Sequence, residues 1–137
     1  MRQFLYVSRQ NVYITPKDLV DLLRESRTAN ELHKITGVLL YISGFFIQYL
    51  EGPADKVKQL TTNISVDKRN TGFTVLNDAD LANRAFPNWS MGFKSYSIEE
   101  AQKEPGFLNI NEENGLNFIK EHQEDAYSIM HAYYHSM

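Results

Sequence analysis

The sequence predicts an α+β fold: a ferredoxin-like β-α-β-β-α-β-β sandwich closed by a C-terminal helical cap. Three observations carry this. The stretch Ile35 to Gly52, ITGVLLYISGFFIQYLEG, reads as two apolar strands joined by Ser43-Gly44, a dipeptide suited to a tight hairpin. Both strands are apolar at nearly every position, which places the hairpin centrally in its sheet with cover on both faces. A helical pattern stands on each side of it in the chain, and each pattern is flanked by a further strand pattern, so the sheet is rich in antiparallel pairs.

The first strand covers residues 2 to 8, RQFLYVS, with Phe4, Tyr6 and Ser8 on one face and Gln3, Leu5 and Val7 on the other. Thr15-Pro16-Lys17-Asp18 announces the first helix: Thr15 as N-cap, Pro16 at the first position, Asp18 in the first turn. Its apolar stripe is Leu19, Val20, Leu22 and Leu23, and Asn30 falls at its exit. In the hairpin, Gln48 stands out. It is an amide at mid-strand on the face of Phe46 and Leu50, and a buried amide without partners costs about 1–3 kcal/mol.

Glu51-Gly52-Pro53 turns the chain into a second helix, where Val57, Leu60, Thr61 and Ile64 follow the i, i+3, i+4, i+7 spacing of one packed face. Asp67 to Gly72 is a polar turn, Phe73 to Leu76 a fourth strand, and Asn77 to Arg84 a polar connection. The fifth strand is Trp89-Ser90-Met91-Gly92-Phe93, with Trp89, Met91 and Phe93 on one face at period two. From Ser97 the composition shifts. After a break at Pro105-Gly106, Leu116, Phe118 and Ile119 begin a helical pattern that returns at Ala126, Ile129, Met130 and Tyr133, with polar Glu121 to Asp125 as a turn between. Residues 1–96 are thus the main unit, and residues 97–137 a helical extension that packs its apolar face on the sheet.

At 137 residues the chain is one domain by size, able to bury roughly two-thirds of its unfolded surface. A net charge of −3 argues against nucleic acid as a direct partner. No apolar run nears the length of a membrane span and no signal-peptide layout follows Met1, so a cytoplasmic protein without a membrane partner is expected. Cysteine is absent, which removes disulfides, thiolate catalysis and cysteine metal sites.

Tyr6, Asn30 and Gln48 could converge between the sheet and the first helix. Tyr6 and Gln48 either satisfy each other within a core or share a ligand, because a Tyr hydroxyl can donate to a Gln carbonyl and leave the Gln amide for a third party. Asn30 is either a helix C-cap or a ligand contact. Asp67, Lys68 and Arg69 suit the rim of a site or a solvated turn, while Trp89 and Met91 suit a core or the neighbourhood of Gln48. His131 and His135 have the i, i+4 spacing of metal ligands without a carboxylate partner on that face, so they read as surface histidines and no metal site is expected. There is no glycine-rich phosphate loop and no nucleophile-plus-base arrangement, so the chain is not expected to be an enzyme.

Tyr6-Val7-Ser8, Asn30, ITGVLLY and FFIQYLEG, Asp67-Lys68-Arg69 and Phe86-Pro87-Asn88-Trp89-Ser90-Met91-Gly92-Phe93 together resemble a BLUF domain, a sensor of blue light using flavin, over residues 2 to about 96. The tail is similar in layout to the helical cap of short, stand-alone members. The resemblance implies a non-covalent flavin, FAD with FMN or riboflavin as alternatives, held between the two helices with its ring edge facing Gln48. It implies that Asn30 binds the pyrimidine edge, that Leu22 and Ile64 sandwich the ring, and that Asp67 and Arg69 lie at the polar end. Tyr6 would give the excited flavin an electron and a proton. Gln48 would end, by rotation or tautomerisation, donating more strongly to the flavin C4 carbonyl, and Trp89 and Met91 would carry the change to the C-terminal helices. Ala29, Asn63 and Asn70 depart from the pattern, in which a second Asn, a basic residue and His are usual, and these losses bear on flavin identity.

No effector domain fits in this length, so the expected output is an unidentified protein partner or a homo-oligomer that changes state. Two other classes compete: a light-independent small-molecule-binding regulatory module, which would be colourless, and a small flavin oxidoreductase or monooxygenase, which would turn over with a reductant.

Overall fold

The computed structural model describes residues 1–136. Its elements are β1 (Arg2–Gln10), α1 (Pro16–His33), β2 (Thr36–Ile42), β3 (Phe45–Gly52), α2 (Ala54–Ser65), β4 (Asn70–Asp80), β5 (Gly92–Tyr96), α3 (Ile98–Ala101), α4 (Gly115–Glu121) and α5 (Gln123–His135). The five strands form one sheet in the order β4-β1-β3-β2-β5, antiparallel except where β5 runs parallel to β2. This is the expected ferredoxin-like sandwich. None of the helices is long and apolar enough to cross a membrane among the described residues.

The β2–β3 hairpin closes through Ser43 and Gly44, both at positive φ (44° and 95°), as a two-residue turn of matching twist requires. Every residue of β3 is buried. One sheet face places Phe4, Tyr6, Leu39, Phe46 and Leu50 against α1 and α2, with Leu23 and Val57 from those helices. The opposite face places Leu5, Val7, Leu40, Ile47 and Tyr49 under Phe118, Ile119, Ile129 and Met130 of the C-terminal helices. The apolar run of the hairpin reflects this double cover.

Thr15 caps α1 in a reciprocal box: its hydroxyl accepts from Asp18 N at 3.0 Å while the Asp18 carboxylate accepts from Thr15 N at 3.2 Å. The helix runs on to His33 and ends at Lys34 in the left-handed region (φ 59°). Asn30 is therefore not the C-cap but a buried residue of the last turn. Val20 leaves the expected stripe and is 53% exposed.

Several elements differ from the sequence reading. β1 runs past residue 8 to Gln10, and the turn expected at Glu121 to Asp125 narrows to His122, because α5 already begins at Gln123. β4 extends from Asn70 to Asp80, well beyond Phe73–Leu76, because β1 pairs along it from Arg2↔Asp80 to Gln10↔Asn70. An edge strand with one wet face tolerates the polar Asn77 to Asp80, and the Arg2 guanidinium secures that end on Asp78 at 2.6 Å and Asp80 at 3.0 Å. A short α3 stands ahead of the two expected C-terminal helices, capped by Ser97 and Glu100. Finally, β5 begins at Gly92, not at Trp89. Trp89 N donates to Phe86 O at 3.2 Å in a turn, so the period-two alternation does not extend back to it. Trp89 instead packs against the cap, while Met91 and Phe93 belong to the helix face.

Candidate functional site

Between the sheet and α1/α2 lies a cavity of about 300 Å³. All seven residues expected to hold a cofactor line it: Tyr6, Leu22, Asn30, Gln48, Ile64, Asp67 and Arg69. β1 and β3 supply the floor, since Tyr6 and Gln48 are direct cross-strand partners. The Tyr6 hydroxyl donates to Gln48 Oε1 at 2.5 Å. In this bond the amide oxygen faces Tyr6 and the nitrogen is turned away. Gln48 Nε2 then meets Met91 Sδ at 3.4 Å, a weak acceptor. Burial pushes the Tyr6 phenol well above its ordinary value, and the charge of Asp67 adds to this, so Tyr6 is neutral.

Asn30 is 2% exposed, and its Nδ2 donates to Ser90 O at 2.6 Å. Arg27 Nε donates to Met91 O at 3.0 Å from the same helix. Together they hold the segment bearing Met91 against the cavity. At the other end Asp67 and Arg69 form a bidentate pair, with Nη2 at 2.6 Å and Nε at 3.1 Å from the carboxylate. The Arg69 hydrogen bond holds the Asp67 carboxyl below the usual range.

A family model described as "Sensors of blue-light using FAD" (BLUF) matches residues 1–92. The chain belongs to the BLUF family. It is 36% identical over 87 residues to a photoactivated adenylate cyclase subunit beta of Euglena gracilis, covering 63% of this chain and 10% of that protein. A second such subunit, of Euglena longa, is 34% identical over the same length. The chain therefore spans about a tenth of the curated relatives it matches. Among solved structures, the BLUF protein BlrB in its dark state superposes with a TM-score of 0.69 at 27% identity, covering 91% of this chain and 95% of that one. The ground state of BlsA gives 0.68 at 31% identity, covering 88% and 85%.

BLUF domains bind flavin, and the residues here fit one. Leu22, Leu60 and Ile64 give apolar walls for a flat ring, with Asn30 and Gln48 as a polar edge. Two buried polar atoms on the cavity lining lack a partner among the described residues, Ser8 Oγ and Asn70 Oδ1. Orphaned groups of this kind suit a ligand that brings its own donors. Ser8 shares a face with Tyr6 two residues on, which is the signal in the sequence that could have assigned it. Asn70 departs from the family's usual His, yet it lines the same cavity, its Nδ2 spent on Ile64 O and Asp67 O at 3.1 and 3.0 Å.

Of the four residues expected to act in the photochemistry, the structure brings Tyr6, Gln48 and Met91 together and leaves Trp89 out. The Trp89 ring packs on Tyr133 and Tyr134 of α5, at 5.1 and 4.7 Å between centroids. His131, expected at the surface, is half-buried, 5.1 Å from the Phe86 ring and 4.6 Å from the Tyr127 ring, and burial lowers its pKa. His135 is exposed.

Proposed function

We propose that this chain is a blue-light sensor unit in which Tyr6 is the electron and proton donor and Gln48 the switched amide. The observation that carries it is the chain of contacts from Tyr6 OH to Gln48 Oε1, and from Gln48 Nε2 to Met91 Sδ, on the floor of the cavity. When bound, the flavin supplies the blue absorption and takes up the electron and proton. Tyr6 stays neutral in the dark and is one hydrogen bond from Gln48, so loss of its proton disturbs that amide directly. Gln48 gives up little on the other side, because a thioether is a poor acceptor. Light thus changes how the amide is shared among Tyr6, Met91 and the cofactor, a difference of about 0.5–1.5 kcal/mol. Such a bias shifts a balanced two-state element by roughly two- to thirteenfold.

Residues 1–96 form the light-sensing unit, and residues 97–137 carry the readout across the sheet. FAD is the expected flavin, and the protein works in the cytoplasm. The signal leaves through a separate effector protein or through self-association, not through catalysis by these residues. The names of the relatives, which join light to a cyclase, support the coupling of such a sensor to an effector.

Absorption spectra before and after blue illumination test the proposal. A yellow protein whose flavin bands move to slightly longer wavelength and recover in darkness is the expected result. A colourless protein, or flavin bands unmoved by light, would sink it.

A further inference from the structure

Glu51 is fully buried in β3, three residues beyond Gln48 and on the opposite sheet face. Its carboxylate accepts four hydrogen bonds. Oε1 takes Ala85 N at 2.7 Å and the Tyr49 hydroxyl at 3.0 Å; Oε2 takes Phe86 N at 2.9 Å and the Thr36 hydroxyl at 2.8 Å. Arg84 closes the node, donating to Thr36 Oγ1 at 2.9 Å and to the backbone carbonyls of Lys34 and Glu51 at 2.6 and 3.3 Å. Ala85 and Phe86 lie outside every helix and strand, so a side chain does for their two amides what a ladder does elsewhere.

The same segment ends at the flavin cavity. Trp89 O accepts from Gly37 N at 3.0 Å, Ser90 O from Asn30, Met91 O from Arg27, and Met91 Sδ from the switched amide of Gln48. Along its length it presents rings to α5: Phe86 lies 5.3 Å from Tyr134, and Trp89 lies 4.7 Å from the same ring. Residues 85–91 are thus a strap, fixed at one end by Glu51, touched at the other by Gln48, and loaded in the middle with the contacts to the cap.

We propose that Glu51 is a positioning residue for signal transmission: by holding the Ala85 and Phe86 amides it makes a fixed pivot, so that displacement at Met91 swings Trp89 against α5. This rests on the blue-light reading above. Without the pivot the strap gives at both ends, and the displacement is lost before it reaches the cap.

Trp89 is the chain's single tryptophan, so its indole N–H gives one resonance in ¹⁵N-labelled protein, recorded in darkness and under blue light beside the flavin spectrum. In the wild type both should move. Glu51→Gln offers an N–H₂ where an acceptor is needed and cannot satisfy both amides. It should keep the full flavin shift and lose at least half of the indole light–dark difference. Wild-type behaviour of both signals in Glu51→Gln would overturn the proposal. An unmoved flavin band in the wild type would overturn the sensor reading itself, and this with it. If Glu51→Gln does not fold, amide exchange in the wild type decides: Ala85 and Phe86 should stay equally protected in dark and light, and faster exchange there on illumination would rule out a fixed pivot.

Discussion

Tyr6 and Gln48 face each other across β1 and β3, both buried, and the Tyr6 hydroxyl donates to the Gln48 carbonyl at 2.5 Å. Tyr6→Phe removes this donor and leaves the ring packing on Phe73 at 4.7 Å in place. The variant should bind flavin and stay yellow, yet show no light-induced band shift. A normal photocycle in it would exclude Tyr6 as the required donor.

Gln48→Leu keeps the volume at the cavity floor and deletes both the acceptor for Tyr6 and the donor to Met91. Flavin should remain bound and the band shift should vanish. The variant leaves the Tyr6 hydroxyl buried without its partner, so a stability loss of about 1–3 kcal/mol is expected in urea unfolding. A shift of wild-type size in this variant would mean that the switch lies elsewhere.

At the mouth of the cavity the charged residues on the lining are Glu25, Asp67 and Arg69, and Arg69 is already committed to Asp67. Asp67→Asn releases the guanidinium to an incoming anion. Loaded with an equimolar mixture of riboflavin, FMN and FAD, this variant should retain the phosphorylated flavins in greater proportion than the wild type does. The gain should be modest, because the Arg69 side chain is 54% exposed and solvent screens it. An unchanged ratio of released flavins would show that Arg69 does not reach the phosphates.

Much of this site could be read before the fold was known, and the reason is local. Tyr6 and Gln48 lie at mid-strand in segments whose pairing follows from the hairpin and from alternation, so their meeting needed only the strand order. Leu22 and Ile64 sit on helix stripes whose period is plain in the sequence, and the family resemblance set them beside a flavin. Asn30 was misread as the exit of α1, because nothing in the polar run after it signals that the helix continues to His33. Trp89 was misplaced because period two holds only for extended chain, and the turn at Phe86 breaks it. Glu51 went unassigned because Glu-Gly-Pro reads as a turn to solvent. Its burial depends on Ala85 and Phe86, distant in sequence and without a motif of their own.

Alkaline pH should destabilise the fold through its buried phenols. Burial is the main cause that pushes Tyr6, Tyr49 and Tyr96 upward, with added repulsion from Asp67, Glu51 and Glu104 respectively. Unfolded phenols release their protons near pH 10, roughly, whereas the folded ones retain them. The folded state then binds more protons, so the stabilisation is complete below the unfolded value and is lost as pH rises towards the folded ones. Urea midpoints should hold up to about pH 9 and fall steeply beyond about pH 10. The light response should survive at about pH 9, since Tyr6 is still protonated there. Phenolate absorbance appearing in the folded protein near the ordinary value would contradict this.

Gly92 opens β5 where the Trp89 ring folds back on the chain. A Cβ at Gly92 would lie 2.1 Å from Trp89 Cε3 and 2.6 Å from Cζ3, so the ring's seat exists only while that position has no side chain. Gly92→Ala must expel the indole from its contacts with Tyr133 and Tyr134 or shift the strand. Overpacking of this kind costs about 1–3 kcal/mol. The thermal midpoint should fall and amide exchange in α5 should quicken. Tyr6 and Gln48 are held on β1 and β3, away from the indole, so the flavin band shift should persist. An unchanged midpoint with unchanged exchange in α5 would mean that the Trp89 ring does not rest on Gly92.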